Sequence, residues 1–301
     1  MTRVAVVGRG VVADRLRRVA VPHDVVEADL TADVVVLAAG GRHADPAVAN
    51  LRAGMDVIST SGRLDDVREL LELDDEARAN GATLVVGAAV SPGLSGLIAR
   101  HLVDSLAGCD ELHIAVHGTA GPACAREHHQ ALQGWAVGWH DHGWIERSPA
   151  GSGRELCWFP EPVGARDCYR GELPDPLLLH RNFPDVARIS ARVSATRRDR
   201  FTARLPMLSP PHREGGIGAL RVEARGHDER GARVTHVEGV AELIATTAAA
   251  VAASFVDVIG DGRLGPGVVT AGDDDLPTAT LLRAVTRRGV RLQAFTGIPS
   301  R

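Results

Sequence analysis

The residues best able to move a proton near neutral pH are the histidines, and they are unevenly spread along the chain. Six of the 13 histidines fall between residues 113 and 142, namely His113, His117, His128, His129, His140 and His142. The imidazole ring changes its charge between about pH 5 and 8. Arg126 stands just ahead of two of them, and a guanidinium can hold a carboxylate through paired hydrogen bonds. This pattern indicates a proton-transfer site for an acidic ligand, with two solvated histidines on a helix as the alternative.

The same stretch contains groups that could bind zinc. Cys124 and His128 are four residues apart and would share a helical face, while His140 and His142 could chelate from a loop. The paired spacings that make a zinc site specific, CxxC and HExxH, are missing. We therefore predict no metal site.

The absence of lysine narrows the chemistry further. All 34 basic residues are arginine, which excludes Schiff-base catalysis, a phosphate-binding P-loop lysine and a Tyr–Lys dehydrogenase pair. A proton must therefore be moved by a histidine, a carboxyl group, a cysteine or the single tyrosine, Tyr169.

A glycine-rich turn near the start of the chain could bind a phosphate group. The apolar run VAVVG at residues 4–8 leads into GRGVVA at residues 8–13. In a dinucleotide-binding turn the first glycine makes the bend, the second lets the backbone approach the pyrophosphate, and a small third residue lets helix and strand pack closely. Gly8, Gly10 and Ala13 occupy these positions. We predict such a turn, with a plain strand–helix turn as the alternative.

The residues that would recognise the adenosine half of a dinucleotide give conflicting signals. An acidic residue about 20 positions after the turn binds the ribose of NAD, and Glu27 and Asp29 lie near that spacing. Arg9 and the alanine at position 13 favour NADP instead. The choice between NAD and NADP therefore stays open.

The distance between the second and third apolar runs raises a geometric difficulty. If residues 24–28 and 33–39 are parallel strands on either side of the first, the chain must cross about 20 Å between them. Residues 29–32 are too few for that span when fully extended. Residues 24–28 are thus expected to form a short strand or an antiparallel edge, or else the adenosine site is eroded.

The first hundred residues otherwise alternate in the manner of a parallel sheet. Near-continuous apolar runs, typical of strands covered on both faces, lie at residues 4–8, 33–39, 56–60 and 83–89. Helix-like segments separate them, at residues 10–20, 44–53 and 64–80. This βαβ order predicts an α/β fold with a reduced Rossmann-type parallel sheet and right-handed crossovers.

Beyond residue 110 the pattern changes to a second, α+β domain. Residues 111–118, 186–195 and 218–226 are predicted strands, whereas residues 123–139 and 238–259 are predicted helices and a helix and a strand close the chain. We expect a dinucleotide-binding domain at 1–110 and a substrate or dimerisation domain at 111–235. Residues 236–301 are expected to pack back on both.

The composition of the chain limits the kinds of partner that the protein can bind. A formal net charge of −4 argues against nucleic acid or an anionic membrane surface as a partner. The longest apolar segment, 240–259, contains Glu242 and Asp257 and favours a buried helix over a membrane span. Unpatterned cysteines and the lack of a recognisable signal peptide predict free thiols and a cytoplasmic protein. A sheet in the second domain would offer a face for isologous pairing, so we expect a homodimer.

Four segments together resemble the saccharopine dehydrogenase-like family of NAD(P)-dependent oxidoreductases. They are GRGVVA, DVVVLAAG, AGMDVISTSG and ARANGATLVVGAAVSPGLSGLIARHL, and FPEPVGARDCYRGELPDP at 159–176 is also similar. The pattern GxxxxPGLS at residues 87–95 is the most specific part. The resemblance implies a Rossmann domain, an α+β domain and an active site in the cleft, with NAD or NADP as cofactor. It also implies substrates like amino acids or imines. The shortened second strand and the missing lysines depart from the family.

Carried over by position, the resemblance assigns residues to the cofactor and to catalysis. The residues expected along the pyrophosphate, the nicotinamide ribose and the nicotinamide are Gly8, Arg9, Gly10, Val11, Val12, Ala13, Ala38, Ala39, Gly40, Ser59, Thr60, Ser61, Ser91, Pro92 and Gly93. In the family, the loop equivalent to residues 118–121 faces the cofactor cleft. This places His128 or His129 as general acid and Arg126 as the group that orients a substrate carboxylate.

Two functions follow from these observations. The first is an NAD(P)-dependent oxidoreductase that acts on a small metabolite resembling an amino acid or an imine. The alternative is a Rossmann-derived protein that has lost its dinucleotide and works as a cofactor-free enzyme or as a binding or assembly protein. The shortened second-strand region is the feature that separates them.

Overall fold

The N-terminal part of the chain forms alternating strands and helices, as the sequence predicted. The computed structural model describes residues 2–20, 23–26, 31–207 and 211–295. The first elements are β1 (Arg3–Val7), α1 (Val11–Val19), β2 (Asp24–Val26), β3 (Val34–Leu37), α2 (Ala44–Arg52), β4 (Asp56–Ser59), α3 (Leu64–Leu71), α4 (Asp74–Ala79), β5 (Thr83–Val86) and α5 (Leu94–Val103). The single helix expected at 64–80 is thus two helices.

The remainder of the chain is richer in strands. It contains β6 (Gly108–His117), α6 (Pro122–Gln130), β7 (Trp135–His140), β8 (Gly143–Pro149), β9 (Glu155–Trp158), β10 (Ala165–Arg170), α7 (Asp175–Asn182), β11 (Arg188–Ser194), α8 (Arg197–Thr202), β12 (Ile217–His227), β13 (Arg233–Leu243), α9 (Ile244–Gly260), β14 (Gly267–Thr270), α10 (Thr278–Arg287) and β15 (Gln293–Ala294).

Two predicted helices are shorter than expected because strand pairing takes part of each. The helix predicted at 123–139 ends at Gln130, and the residues from Trp135 form β7, which pairs with β11 and β8. The helix predicted at 238–259 begins only at Ile244, since residues 233–243 pair antiparallel with β12 along their whole length. In both cases a ladder with a distant strand overrides the local pattern.

The first sheet is the predicted Rossmann-type parallel sheet. In the described ranges it has six strands, ordered β14-β5-β4-β3-β1-β2, and every neighbouring pair is parallel. The strand β14 comes from the C-terminal segment and extends the sheet beyond β5. The chain passes from β1 to β2 on one side and to β3 on the other, so the order of strands reverses beside β1. A crevice outside the carboxyl ends of the strands at such a switch point is where α/β sheets bind ligands.

The β2 region resolves part of the geometric difficulty. This three-residue strand pairs parallel with β1, with Asp24 opposite Arg3 and Val26 opposite Ala5. The short-strand interpretation therefore describes this region, and the antiparallel edge is wrong. The candidate ribose-binding acids, Glu27 and Asp29, lie outside the described residues.

The second sheet is mixed and carries the strands predicted beyond residue 110. Its order is β15-β13-β12-β6-β11-β10-β9, and β7 pairs with β11 and with β8. The pair β6 and β11 is parallel, while their other partners run antiparallel. The α/β fold with a second mixed-sheet unit is thus as predicted.

One continuous hydrophobic core joins the two sheets. It runs from β1 and β3 through the alanine-rich helix α9 to the inner faces of β6 and β12. A smaller core on the other face of the first sheet packs α2, α3 and α4. The predicted boundaries at 110 and 235 fall inside β6 and β13, and the three-part division stays a prediction. None of the helices in the described ranges is long and apolar enough to cross a membrane.

Candidate active site

The turn after β1 has the geometry that its glycines predict. Gly8 has φ +143°, and a Cβ atom there would lie 2.7 Å from the carbonyl oxygen of Ala38. Gly10 precedes the first residue of α1, and a Cβ atom there would meet no heavy atom within 4 Å. No side chain caps this end of α1, so its first N–H groups are available to an anion. Ala13 is fully buried, which brings helix and strand together.

A cavity of about 170 Å³, called here the turn chamber, opens beside this turn. Eight of the predicted cofactor residues line it: Gly10, Val11, Val12, Ala38, Ala39, Gly40, Thr60 and Ser91. The start of α6 forms its opposite wall. There the Cβ atom of Ala123 lies 2.7 Å from the Cβ position of Gly40, and the N–H of Gly41 donates to Glu127 Oε1 at 3.2 Å. The chamber thus lies between the parallel sheet and the second unit.

A larger cavity of about 290 Å³, called here the cleft, adjoins the chamber, since Ser91 lines both. Ionisable side chains from both parts of the chain face it, namely Arg63, Asp65, His117, Glu127, His128 and Glu172. Arg63 and Asp65 follow β4, and His117 ends β6. Glu127 and His128 lie on α6, and Glu172 follows β10. An apolar chamber beside a charged cleft can hold two ligands side by side, one flat and apolar and one small and ionic.

The charged groups of the cleft can bind both ends of an amino acid. Arg63 donates to Asp65 through Nε (3.1 Å) and Nη2 (2.7 Å), and three of its five N–H groups remain for a carboxylate. Burial raises the pKa of Glu172, with nearby Asp65 acting in the same direction. Glu127 and Glu172 are acceptors for an ammonium or iminium group.

His128 lies in the cleft, but in a different protonation state from the one predicted. Its Nε2 is buried and has no hydrogen-bond partner among the described groups. Burial lowers the pKa of His128 to about 4, and the charge of His117 acts in the same direction. The ring is therefore neutral at pH 7 and can accept a hydrogen bond, but it cannot donate a proton as an imidazolium. This argues against the general-acid role at neutral pH.

His117 forms the neighbouring wall of the cleft. Its Nδ1 is 2.7 Å from Ser194 Oγ, and burial, helped by Arg166, lowers its pKa. Both rings also line a third cavity of about 550 Å³ on the far side of α6. They therefore separate the cleft from that space.

The other two predicted catalytic residues do not line the cleft. His129 Nε2 is 3.0 Å from the carbonyl oxygen of Thr202 and 3.3 Å from that of Leu205, so it tethers the end of α8. Arg126 is exposed and lines neither the chamber nor the cleft. Arg63, by contrast, lines the cleft.

Ser59 and Ser61, which were predicted to face a cofactor, are buried in a network behind the chamber. Ser59 Oγ is 2.8 Å from His43 Nδ1 and accepts the N–H of Ser61 at 3.2 Å. His43 Nε2 lies 2.9 Å from the carbonyl oxygen of Ala39. Asp66 then accepts the backbone N–H groups of His43 and Ala44. This network fixes the loop that lines the chamber.

A second network lies behind Ser91. Ser91 Oγ donates to Asp175 Oδ2 at 2.7 Å, and Ser95 Oγ donates to Asp175 Oδ1 at 2.6 Å. Gly93 has φ +133°, and a Cβ atom there would lie 2.3 Å from the carbonyl oxygen of Ala89. The segment 91–93 is thus a tight turn that presents Ser91, while Pro92 and Gly93 are buried beneath it.

Sequence reasoning missed Asp66, Asp175 and His43. Of the ionisable side chains that line the cleft, it missed Arg63, Asp65, Glu127 and Glu172. The one local signal at Asp175 is its position directly after Pro174, at the start of α7. Nothing in the sequence links it with Ser91, which is 84 residues away. Arg9, from the predicted cofactor set, is exposed beside the turn. Among the residues whose placement is described, no group of three or more side chains is arranged to hold a metal ion.

Nearly the whole chain is similar in structure to a dehydrogenase of known structure. The alignment with apo saccharopine dehydrogenase (L-Glu forming) from Saccharomyces cerevisiae covers 98% of this chain and 100% of that chain, with a TM-score of 0.68 and 13% sequence identity. This similarity confirms the fold that the sequence resemblance implied. No protein-family model matches the sequence, and no curated protein matches it either.

Two further solved structures align over nearly the whole chain but more weakly. A meso-DAPDH mutant with DAP from Clostridium tetani aligns with a TM-score of 0.47 and 14% identity, over 93% of this chain and 96% of that one. GenD2 from gentamicin A biosynthesis, in complex with NAD, aligns with a TM-score of 0.44 and 15% identity, over 98% and 96%. These alignments are too weak to support an inference about function.

Proposed function

We propose that this protein is a nicotinamide-dinucleotide-dependent oxidoreductase acting on a small metabolite that resembles an amino acid or an imine. The observation that carries the proposal is the open, uncapped turn at Gly10, placed at the switch point of a parallel sheet. A pyrophosphate fits there because backbone N–H groups face a space that a side chain would fill. The resemblance to saccharopine dehydrogenase in fold supports it.

The residues around the turn chamber would hold the rest of the dinucleotide. Val11 and Val12, the first residues of α1, would offer their N–H groups to the pyrophosphate, and the segment 38–40 with Thr60 lines the same chamber. The cofactor supplies the acceptor or donor of a hydride, so the protein has to align two ligands and move one proton. Both NAD and NADP remain candidates, because the acids that would read the ribose lie outside the described residues.

The substrate would bind in the cleft. In this proposal Arg63 holds its carboxylate, and Glu127 and Glu172 face its nitrogen. His128, being neutral at pH 7, accepts a hydrogen bond and excludes water from the wall of the cleft. These assignments replace the roles that the sequence suggested for Arg126 and His129.

Titration of NADH and NADPH into the protein tests the proposal directly. We expect saturable binding of at least one of them, detected by fluorescence or calorimetry. Gly10→Asp should weaken it at least about tenfold, because the new carboxylate repels the pyrophosphate without steric conflict. Gly265→Asp is the matched control, since that glycine also has no heavy atom within 4 Å of its Cβ position. Failure of both dinucleotides to saturate at millimolar concentration would favour the cofactor-free alternative.

We also propose that the protein is a homodimer that pairs through the second sheet. Several large apolar side chains of β7, β8 and β9 are exposed, namely Trp135, Trp144, Ile145, Leu156 and Trp158. Leu156 and Trp158 alternate with the buried Cys157 and therefore share one face of β9, and exposed apolar side chains on a sheet face suit isologous pairing. Light scattering should give the mass of two chains, and Trp158→Glu should lower it to one. A monomer mass for the unmodified protein across micromolar concentrations would reject the dimer.

A further inference from the structure

We propose that Asp175 and Ser91 form a proton path between the cleft and the protein interior, with Ser91 as the residue that touches substrate and Asp175 as the positioning residue behind it. The proposal rests on the oxidoreductase function proposed above. Ser91 is suited to this role because it lines both the turn chamber and the cleft. A hydroxyl group there would lie between a ligand in the chamber and a ligand in the cleft.

The surroundings of Asp175 give it no fixed counter-charge. The residue is 1% exposed, and no cationic side chain of the described residues forms an ion pair with it. Its two oxygen atoms accept the hydroxyl groups of Ser91 and Ser95. An isolated buried carboxylate is costly, and a hydroxyl can turn to accept a hydrogen bond when the carboxyl becomes protonated. Both protonation states are therefore accommodated.

The pKa of Asp175 reflects the same balance. Burial raises it above the usual range of an aspartic acid, while the hydrogen bonds from Ser91 and Ser95 and from its own backbone N–H act in the opposite direction. Asp175 is the first residue of α7, where the helix dipole also favours the anion. No charged side chain is among these influences.

Ionisable side chains on the elements packed against α7 are engaged with other groups. Arg100 of α5 donates to the carbonyl oxygens of Gly272 and Asn182, and Arg188 of β11 pairs with Glu111. His140 of β7 lies beside Arg188 and Asp141, and His180 of α7 itself stacks on Trp139. The path therefore depends on Ser91 as its connection to the cleft.

The proton transfer balances with the hydride transfer. In the oxidising direction the substrate carbon loses a hydride to the nicotinamide cofactor, and a C=N or C=O double bond forms. The proton on the substrate nitrogen or oxygen passes to Ser91 Oγ, while the hydroxyl proton of Ser91 passes to Asp175 Oδ2. Asp175 becomes a carboxylic acid. In the reducing direction each proton moves back along the same path.

Binding of the cofactor tests this path without knowledge of the substrate. The oxidised nicotinamide ring is cationic and the reduced ring is neutral, so binding of the oxidised form should favour ionised Asp175. We expect the ratio of the two dissociation constants to shift towards tighter binding of the oxidised form as pH rises above the usual pKa of a carboxyl group. The shift should reach up to about tenfold per pH unit.

The variants separate the path from a purely structural role. Asp175→Asn should bind both forms with a pH-independent ratio. Ser91→Ala should move the pH dependence to higher pH, because ionised Asp175 then loses a hydrogen bond that stabilises it. Asp185→Asn, at an exposed position beyond the end of α7, should leave the pH dependence unchanged.

Three results would overturn the proposal. A pH-independent ratio in the unmodified protein would reject the path alone and leave the oxidoreductase function standing. Equal pH dependence in Ser91→Ala and the unmodified protein would reject Ser91 as the link. Absence of dinucleotide binding in the unmodified protein would reject the proposed function and the path together.

Discussion

Two buried carboxyl groups lie behind neighbouring strand ends of the first sheet, and they are held in different ways. Asp66, fully buried behind β4, accepts backbone N–H groups of His43 and Ala44. Asp175, behind β5, accepts side-chain hydroxyl groups of Ser91 and Ser95. Backbone N–H groups can only donate, so they stabilise an anion permanently. Hydroxyl groups can donate or accept, so they tolerate a change of protonation.

The two carboxyl groups lie at the same edge of the first sheet, but one supports the structure and the other is a candidate for proton transfer. Asp66 holds the start of α2 and, through His43, the chamber loop at Ala39. Asp175 instead reaches the cleft through Ser91. The same type of side chain is thus a fixed anchor in one network and a candidate proton acceptor in the other, and the difference lies in its donors.

The largest expected effect is on the anchor. Asp66→Ala removes the acceptor of two buried N–H groups and should lower the free energy of unfolding by about 3 kcal/mol. Urea denaturation measures it. Asp45→Ala is the control, because Asp45 is exposed in the first turn of α2, the helix whose start Asp66 holds. A loss below about 1 kcal/mol would show that Asp66 is not an anchor.

The second expected effect tests whether His43 contributes to the network that Asp66 anchors. His43→Leu keeps the volume but leaves the Ser59 hydroxyl and the Ala39 carbonyl without the ring, and should cost about 2 kcal/mol. If the chamber loop depends on this ring, dinucleotide affinity should also fall. His101→Leu, at an exposed histidine, should change neither quantity. Wild-type stability in the His43 variant would remove this residue from the network.

The third expected effect is a pH dependence of stability, which tests whether Asp175 exchanges a proton. Because the pKa of Asp175 is raised in the folded protein, the folded state holds this proton more tightly than the unfolded state does. Its contribution to stability is therefore present at low pH and is lost as pH rises from the unfolded to the folded pKa. Asp175→Asn removes this loss.

The stability difference between Asp175→Asn and the unmodified protein should thus move in favour of the variant as pH rises. The change amounts to about 1.4 kcal/mol for each unit of pKa shift, measured by denaturation at a series of pH values. Asp185→Asn, at an exposed position beyond the end of α7, provides the control. A constant difference from pH 4 to pH 8 would contradict a raised pKa at Asp175.

Local patterns were sufficient for four strands of the first sheet and for the turn after the first of them. The apolar runs at β1, β3, β4 and β5 were predicted because strands covered on both faces must be apolar throughout. The turn at Gly8 and Gly10 was predicted because its conformation and the open space at the helix end need glycine. By contrast, the helix at 123–139 was over-extended, since the residues from Trp135 are strand only by pairing with β11.

The sequence by itself determined which chemistry is excluded and where a phosphate group could bind. The absence of lysine and the glycine turn are properties of residue type and of neighbours along the chain. Only the tertiary structure decided the rest. It placed β14 beside β5, buried His128 so that its ring is neutral, and joined Ser91 to Asp175 across 84 residues. Burial and long-range hydrogen bonds depend on which distant segments meet, and no local pattern of residues records that.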